Sequence, residues 1–173
     1  MPETDSQESE GIRIVVTGGT FDKQYDEIRG ELTFAHSHLP EILRYTRCTV
    51  PISIEVNQLI DSLQMQDEGR EKIRLSCAAA PEGRLVVTHG TDTMTVTARV
   101  LGEAVLAKTI VLTGAMVPYA VAGSDALFNL GFAIAAVQTL PQGVYIAMNG
   151  RIFPWNRVRK NRERGVFESV AEE

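Results

Sequence analysis

Five short apolar runs, each ending in a polar or glycine-containing segment, constrain the fold of this chain more than any other feature. They occupy residues 12–16, 49–56, 85–88, 109–112 and 144–148. Helical patterns lie between them, over residues 40–46, 67–80 and 93–107, and a last helix is capped by a loop at residues 123–125 and continues to about residue 139. Alternating strands and helices are typical of a parallel sheet with right-handed crossovers and helices on both faces. The sequence therefore predicts an α/β fold, a three-layer α/β/α sandwich whose five parallel strands have the order 2-1-3-4-5. Pro51 predicts an edge position for the second strand.

Three segments do not belong to this alternation of strands and helices. Residues 1–10 are polar and acidic, and we expect a disordered tail there, followed by a single domain over residues 11–173 with no C-terminal domain. Residues 21–32 mix charged residues with few apolar anchors, which predicts a surface loop. From Arg151 onward arginines accumulate around one lysine, Lys160, without helical periodicity.

Composition excludes several classes of function. The 173 residues are 44% hydrophobic and 23% charged, which fits one globular domain, and the net charge of −5 does not favour nucleic acid. No apolar segment approaches the roughly 20 residues of a membrane span, and the N-terminus does not resemble a secretory signal. Cys48 and Cys77 are far apart, and His36 and His38 have no third ligand nearby. We therefore expect a cytoplasmic protein with no cofactor, no metal, and neither nucleic acid nor membrane as a partner.

Two of the strands end in corners suited to a small carbonyl or carboxylate compound. The first run leads into Thr-Gly-Gly-Thr, which ends at Thr20, and the third leads into His-Gly-Thr-Asp, residues 89–92. Gly19 and Gly90 permit a close backbone approach, and a helix beginning just after the second corner offers its positive end. If the two strands are parallel neighbours, Thr20 and residues 91–92 lie at the same carboxyl edge, where open α/β sheets bind ligands.

A threonine hydroxyl at such an edge attacks a carbonyl only if a base takes its proton. Asp92 adjoins Thr91, Lys160 is the one lysine in the arginine-rich segment, and Tyr25 offers a phenol near Thr20. A lysine held beside Asp92 with a lowered pKa could deprotonate a hydroxyl, which makes Thr91, Lys160 and Asp92 a candidate relay. The alternative is that Thr91 and Asp92 only cap the following helix.

The motifs occur in an order that resembles the N-terminal domain of bacterial-type L-asparaginases. The matching segments, which cover nearly the whole chain, are TGGT (17–20), LIDS (59–62), VTHGTDTM (87–94), LTGAMVP (112–118) and SD (124–125) followed by FN (128–129). The longest of them is the most specific.

This resemblance implies a flavodoxin-like sheet and hydrolysis of the side-chain amide of asparagine to aspartate and ammonia. Thr20 would be the nucleophile of an acyl-enzyme and Tyr25 its activating phenol. Thr91, Asp92 and Lys160 would form a second relay.

The resemblance also implies a substrate-binding set. Ser62 and Asp92 would hold the α-carboxylate and α-amino group of the substrate. Main-chain donors near Ala115 and Thr91 would polarise the amide oxygen, and Gly19 and Gly90 would line the pocket.

The chain departs from the family pattern in three places. Family enzymes are about twice as long, and their C-terminal domain contributes residues across a dimer interface. The loop from Thr20 to Tyr25 is shorter than the usual lid. Leu63 and Gln64 follow Ser62 where polar substrate contacts are common, and Val117 replaces an arginine.

Three functions therefore remain open: an asparaginase-type amidohydrolase, a non-catalytic or weakly catalytic amino-acid or small-carboxylate binding protein, and an enzyme acting on another small amide or carboxylate. We expect a homo-oligomer, a dimer or a tetramer, because an open carboxyl edge would leave apolar surface exposed.

Overall fold

The computed structural model of the protein describes residues 9–171. In chain order the strands are β1 Ser9–Gly18, β2 Gln24–Asp26, β3 Glu31–Thr33, β4 Ile52–Ile60, β5 Glu82–Thr88, β6 Thr109–Thr113, β7 Gly143–Met148, β8 Arg151–Pro154, β9 Val158–Asn161 and β10 Val166–Ser169. The helices are α1 Leu39–Tyr45, α2 Asp67–Ala79, α3 Met94–Glu103 and α4 Ala126–Thr139. Of the tail predicted to be disordered, residues 1–8 lie outside the described residues, and Ser9 and Glu10 belong to β1.

The central sheet has the order β4-β1-β5-β6-β7-β8. Its first five members are parallel neighbours, so the predicted order 2-1-3-4-5 is confirmed. The sixth strand, β8, was not predicted, and it runs antiparallel to β7 with Met148 opposite Arg151. The two-residue turn between them is Asn149-Gly150, with φ of 51° and 81°. Positive φ at both positions is what a tight type I′ hairpin turn requires, and Asn-Gly is its commonest sequence.

Helices cover both faces of the sheet, which confirms the three-layer sandwich. Along β5, Leu85 and Val87 join the core on the side of α2 and α3, whereas Val86 joins the core on the side of α1 and α4. Each of these side chains is fully buried. Alternate residues of a strand point to opposite faces, so a strand covered on both faces needs a continuous apolar run.

Several boundaries differ from the predictions. β4 continues to Ile60, so residues 57–60 are strand and not loop. α3 ends at Glu103, four residues early, and Val105 has a φ of 48°. The predicted surface loop over residues 21–32 is wrong in its first part. Phe21 and Asp22 are completely buried in a 3₁₀ turn, Thr20–Asp22, because Phe21 fills the core beneath β1 and α1.

Within residues 9–171, every helix is too short or too polar to reach across a bilayer.

Candidate active site

The carboxyl ends of β1, β4 and β5 meet so closely that their loops touch backbone to backbone. A Cβ added to Gly19 would lie 2.4 Å from the amide nitrogen of Gly90, and one added to Gly90 would lie 2.5 Å from Ser62 Oγ. Gly19 also has a φ of 74°, in the left-handed region that favours glycine. The three loops that carry predicted site residues therefore form one continuous floor.

Thr20 opens the 3₁₀ turn directly above this floor and is half-buried. The turn is fixed by main-chain hydrogen bonds, since Gly19 donates to Ile60 O at 3.0 Å and Tyr119 donates to Phe21 O at 3.2 Å. Within residues 9–171, the Thr20 hydroxyl itself makes no hydrogen bond. The Thr20 hydroxyl is therefore free to contact a ligand, and the turn that carries it is held by main-chain hydrogen bonds.

Asp22 secures the other end of this turn. Its Oδ1 accepts hydrogen bonds from the His38 amide at 2.8 Å and from Ser37 Oγ at 3.3 Å. Burial raises the pKa of the Asp22 carboxyl, and the hydrogen bond from His38 opposes that rise. Nothing in the sequence singled out Asp22, because its neighbours suggested an exposed loop.

Lys160 reaches the end of β5 from a hairpin far along the chain. Its Nζ lies 2.8 Å from Thr91 Oγ1 and 2.8 Å from Asp92 Oδ1, and its side chain is only 9% exposed. Arg162 adds a longer contact of 3.4 Å to the main-chain oxygen of Asp92. The three members of the predicted relay are therefore in mutual contact.

The hairpin of β9 and β10 has two anchors that hold Lys160 in place. Phe167 is buried in the core on the α2 and α3 side of the sheet. Trp155 donates from its main chain to Val144 O at 3.1 Å, and its ring covers Gly102 of α3 so closely that an added Cβ would lie 2.3 Å from ring atoms. Only a residue without a side chain at position 102 leaves room for that ring.

Thr91 has a second neighbour that sequence reasoning missed. Met116 Sδ lies 3.6 Å from Thr91 Oγ1. A Cβ on Gly165, in the turn of the β9–β10 hairpin, would lie 3.5 Å from Met116 Cε, so the hairpin rests on this methionine. Asp125 holds the Met116 loop by accepting from the amides of Met116 and Val117, both at 3.0 Å. The buried Ala115 precedes these two residues.

The cap predicted for the helix after β5 is wrong. The N-cap residue of α3 is Thr93, and neither Thr91 nor Asp92 caps the helix. Their side chains contact Lys160 instead. Thr93 uses its hydroxyl to donate to Ser62 O at 2.9 Å.

Ser62 is almost fully buried beside this contact. Its Oγ accepts a long hydrogen bond from the Thr93 amide at 3.4 Å, which leaves the hydroxyl hydrogen of Ser62 available. Next to it, Asp61 forms an ion pair with Lys23, with 2.5 Å between Nζ and Oδ2. The hydrogen bond from Lys23 lowers the pKa of the Asp61 carboxyl. Residue spacing gave no signal for this pair.

The structure does not bring Tyr25 into the cluster by a hydrogen bond. Tyr25 lies in β2, opposite Leu32 of β3, and is 61% exposed. Its phenol forms no hydrogen bond with any described residue. Its predicted role beside Thr20 stays a prediction.

His89 is a buried structural member of the same corner. Its Nδ1 lies 2.8 Å from Gly90 O and its Nε2 lies 2.7 Å from Thr97 Oγ1. Burial lowers the pKa of the His89 imidazole to about 4, and the carbonyl of Gly90 opposes that shift. Both ring nitrogens of His89 therefore have hydrogen-bond partners at the edge of the sheet.

A family model described as "Asparaginase, N-terminal" matches residues 11–172 of this chain. The chain belongs to the asparaginase family. L-asparaginase 1 of Escherichia coli K12 is 30% identical over 174 residues, which cover 95% of this chain and 51% of that protein. The chain thus spans about half the length of the curated relatives it matches.

Solved structures of asparaginases share this fold. L-asparaginase I of Vibrio cholerae superposes with a TM-score of 0.80 at 28% identity, covering 92% of this chain and 51% of that one. The probable cytoplasmic L-asparaginase of Campylobacter jejuni gives a TM-score of 0.79 at 31% identity, covering 92% and 53% respectively. The α/β fold described above is therefore shared with solved asparaginases.

Proposed function

We propose that this protein is an asparaginase-type amidohydrolase that converts the side-chain amide of L-asparagine, or of a related small amide, into a carboxylate and ammonia. The observation that carries the proposal is the 2.8 Å contact of Lys160 Nζ with both Thr91 Oγ1 and Asp92 Oδ1 in a site whose lysine is 9% exposed. A structural domain has no need to bury an amine against a hydroxyl at a ligand-binding edge.

In the proposed reaction, Thr20 Oγ attacks the amide carbon and its proton passes to a base. The tetrahedral intermediate loses ammonia, which takes a proton as it leaves, and an ester joins Thr20 to the acyl group. Water then attacks the ester, releases the carboxylate and restores the Thr20 hydroxyl. Main-chain amides near Ala115 and Thr91 would stabilise the oxyanion of each intermediate.

Lys160 and Thr91 would move the protons. In its neutral form the Lys160 amine accepts the Thr91 proton, and the hydroxyl in turn accepts one from the attacking group. In its charged form the amine donates to both Thr91 and Asp92. Tyr25 is proposed as the phenol that activates Thr20.

The substrate would lie across the floor formed by Gly19 and Gly90. The unused hydroxyl hydrogen of Ser62 can donate to the α-carboxylate. Asp92 remains about one-third exposed, so its carboxylate can accept from the α-ammonium group.

The test is ammonia release from asparagine, glutamine and other small amides. We expect Thr20→Ala to abolish turnover, with ligand affinity retained. We expect Lys160→Met to lower kcat at least ~100-fold with little loss of stability, in line with usual acid–base contributions. Lys72→Met is the matched control, because Lys72 lies on α2 and its amine donates to the main-chain oxygen of Asn57. It should keep the wild-type rate.

Two outcomes would overturn the proposal. If the wild type releases no ammonia yet binds asparagine by calorimetry, the protein is a binding protein. If Lys160→Met and Lys72→Met have equal rates, Lys160 is not part of the reaction.

We also propose that the protein is a homo-oligomer, a dimer or a tetramer, located in the cytoplasm. Exposed apolar side chains near the carboxyl edge, including Leu63, support self-association. The unpaired thiols Cys48 and Cys77 fit a reducing compartment.

A further inference from the structure

Lys23 connects the turn that carries Thr20 with the loop that carries Ser62. Its main-chain amide closes the 3₁₀ turn by donating to Thr20 O at 3.2 Å. Its side chain leaves the turn and forms the ion pair with Asp61, in which the two side chains are only 19% and 30% exposed. Partial burial screens an ion pair less than open solvent does, so the two charges interact strongly. The reaction proposed above gives Lys23 no role.

Further contacts fix both partners of this ion pair. The Lys23 amine lies 5.8 Å from the centroid of the Phe34 ring, directly after β3. On the other side, Asp61 Oδ1 accepts a hydrogen bond from the Leu63 amide at 2.9 Å. The Asp61 carboxylate therefore belongs to the turn around Ser62 and has a fixed position beside it.

An unpaired Asp61 would weaken the binding of an anion at Ser62. The substrate's α-carboxylate is proposed to bind the Ser62 hydroxyl, and the Cα atoms of adjacent residues are about 3.8 Å apart. The two carboxylates would thus lie within the roughly 10 Å over which charges interact at 0.1 M salt. The next residue, Leu63, has an exposed apolar side chain and offers no compensating donor from it.

We propose that Lys23 is a specificity-determining residue, whose positive charge neutralises Asp61 so that a small amide with a free α-carboxylate can bind at Ser62. This role rests on the proposed function and narrows its substrate class to amides that carry an ionised carboxylate. Across the site, Asp92 is paired with Lys160 at 2.8 Å. Each of these two carboxylates therefore has its own lysine, and the two pairs together carry no net charge, which suits a zwitterionic amino acid.

Calorimetric titration of the full chain with L-asparagine tests this role. Thr20→Ala is the parent variant, because we expect it to bind the ligand without turning it over. Adding Lys23→Met should weaken the affinity for L-asparagine at least ~10-fold, since the uncompensated Asp61 repels the α-carboxylate. L-asparaginamide has a neutral amide in place of that carboxylate, so its affinity should change less than ~3-fold. Equal losses for the two ligands would overturn the proposal.

A second substitution separates the charge of Lys23 from its packing. Asp61→Asn removes the negative charge, and its amide oxygen can still accept from the Leu63 amide. The double variant Lys23→Met/Asp61→Asn should therefore regain the affinity of the parent for L-asparagine to within ~3-fold. If the double variant binds as weakly as Lys23→Met, the lysine acts through packing alone and the proposal is wrong.

Arg29→Met is the matched control for loss of a cation from the same hairpin. Arg29 forms an ion pair with Asp26 at 3.8 Å and is mostly exposed, so its removal should leave the affinity for L-asparagine unchanged. Equal affinities for Lys23→Met and Arg29→Met would also contradict the proposal.

These affinities do not depend on turnover. A wild type that binds L-asparagine but releases no ammonia overturns the proposed hydrolysis, while the affinities still decide the role of Lys23. If the parent variant binds no L-asparagine, the role of Lys23 is overturned, and ammonia release by the wild type still decides the hydrolysis.

Discussion

The burial of His89 makes a quantitative prediction about stability in acid. Gly90 O can only accept a hydrogen bond, so Nδ1 of His89 carries the proton and Nε2 accepts from the Thr97 hydroxyl. The imidazole is neutral and completely buried. A second proton would have to enter at Nε2, where it would break the bond from Thr97 and place a charge in the core.

The magnitude follows from the two protonation equilibria. Burial lowers the pKa of His89 from 6.5 to about 4 in the folded protein. Between these values the unfolded chain binds a proton that the folded chain does not bind, so stability is retained above pH 6.5 and lost as the pH falls toward 4. At 1.36 kcal/mol for each pKa unit, the loss is about 3 kcal/mol. That is a large part of the roughly 5–15 kcal/mol by which a typical domain is stable.

Urea unfolding at pH 7, 6, 5 and 4, followed by fluorescence of the single tryptophan, measures this loss. His89→Gln cannot titrate, so its free energy of unfolding should fall by about 3 kcal/mol less than that of the wild type between pH 7 and pH 4. The variant will be less stable at pH 7 because it loses hydrogen bonds, but only the pH dependence is compared. His36→Gln is the control, since His36 is exposed and should follow the wild type. If His89→Gln loses as much stability in acid as the wild type, the buried imidazole is not the cause.

Two further substitutions test the floor and the turn of the site. Gly19→Ala should abolish activity and lower the urea midpoint, because the new Cβ would lie 2.4 Å from the amide nitrogen of Gly90. Gly30→Ala is the control, since Gly30 has a similar φ of 70° but open space around an added Cβ. It should lower the free energy of unfolding by only about 1–2 kcal/mol. Equal midpoints for these variants would contradict the close packing. Asp22→Asn should be at least as stable as the wild type at pH 7. The raised pKa of Asp22 means that the stability of the wild type falls as the pH rises through the titration of this carboxyl. The amide oxygen of the variant can still accept the hydrogen bond from the His38 amide. A loss of more than ~1 kcal/mol at pH 7 would show that the charge of Asp22 contributes to stability.

Some elements could be predicted because their cause is local. The run Leu85, Val86 and Val87 is apolar at every position, and only a strand covered on both faces needs that pattern. The sequence Asn149-Gly150 is an equally local signal for the hairpin turn that leads into β8. This strand was not predicted, because the arginine-rich composition from residue 151 onward does not indicate a strand. Phe21 and Asp22 illustrate the opposite case. Their charged neighbours suggest solvent, and their burial depends on the core that α1 and β1 form around them.

The sequence by itself determined the five buried strands and the two corners that carry Thr20 and Thr91, because hydrophobic period and glycine position act over a few residues. It also restricted the base in the arginine-rich segment to Lys160, since arginine remains charged at neutral pH. Only the tertiary structure decided that Lys160 meets Thr91, which lies 69 residues away along the chain. That contact depends on the β9–β10 hairpin and its anchors Trp155 and Phe167, whose packing surfaces come from other elements and exist only once the sheet and its helices have assembled.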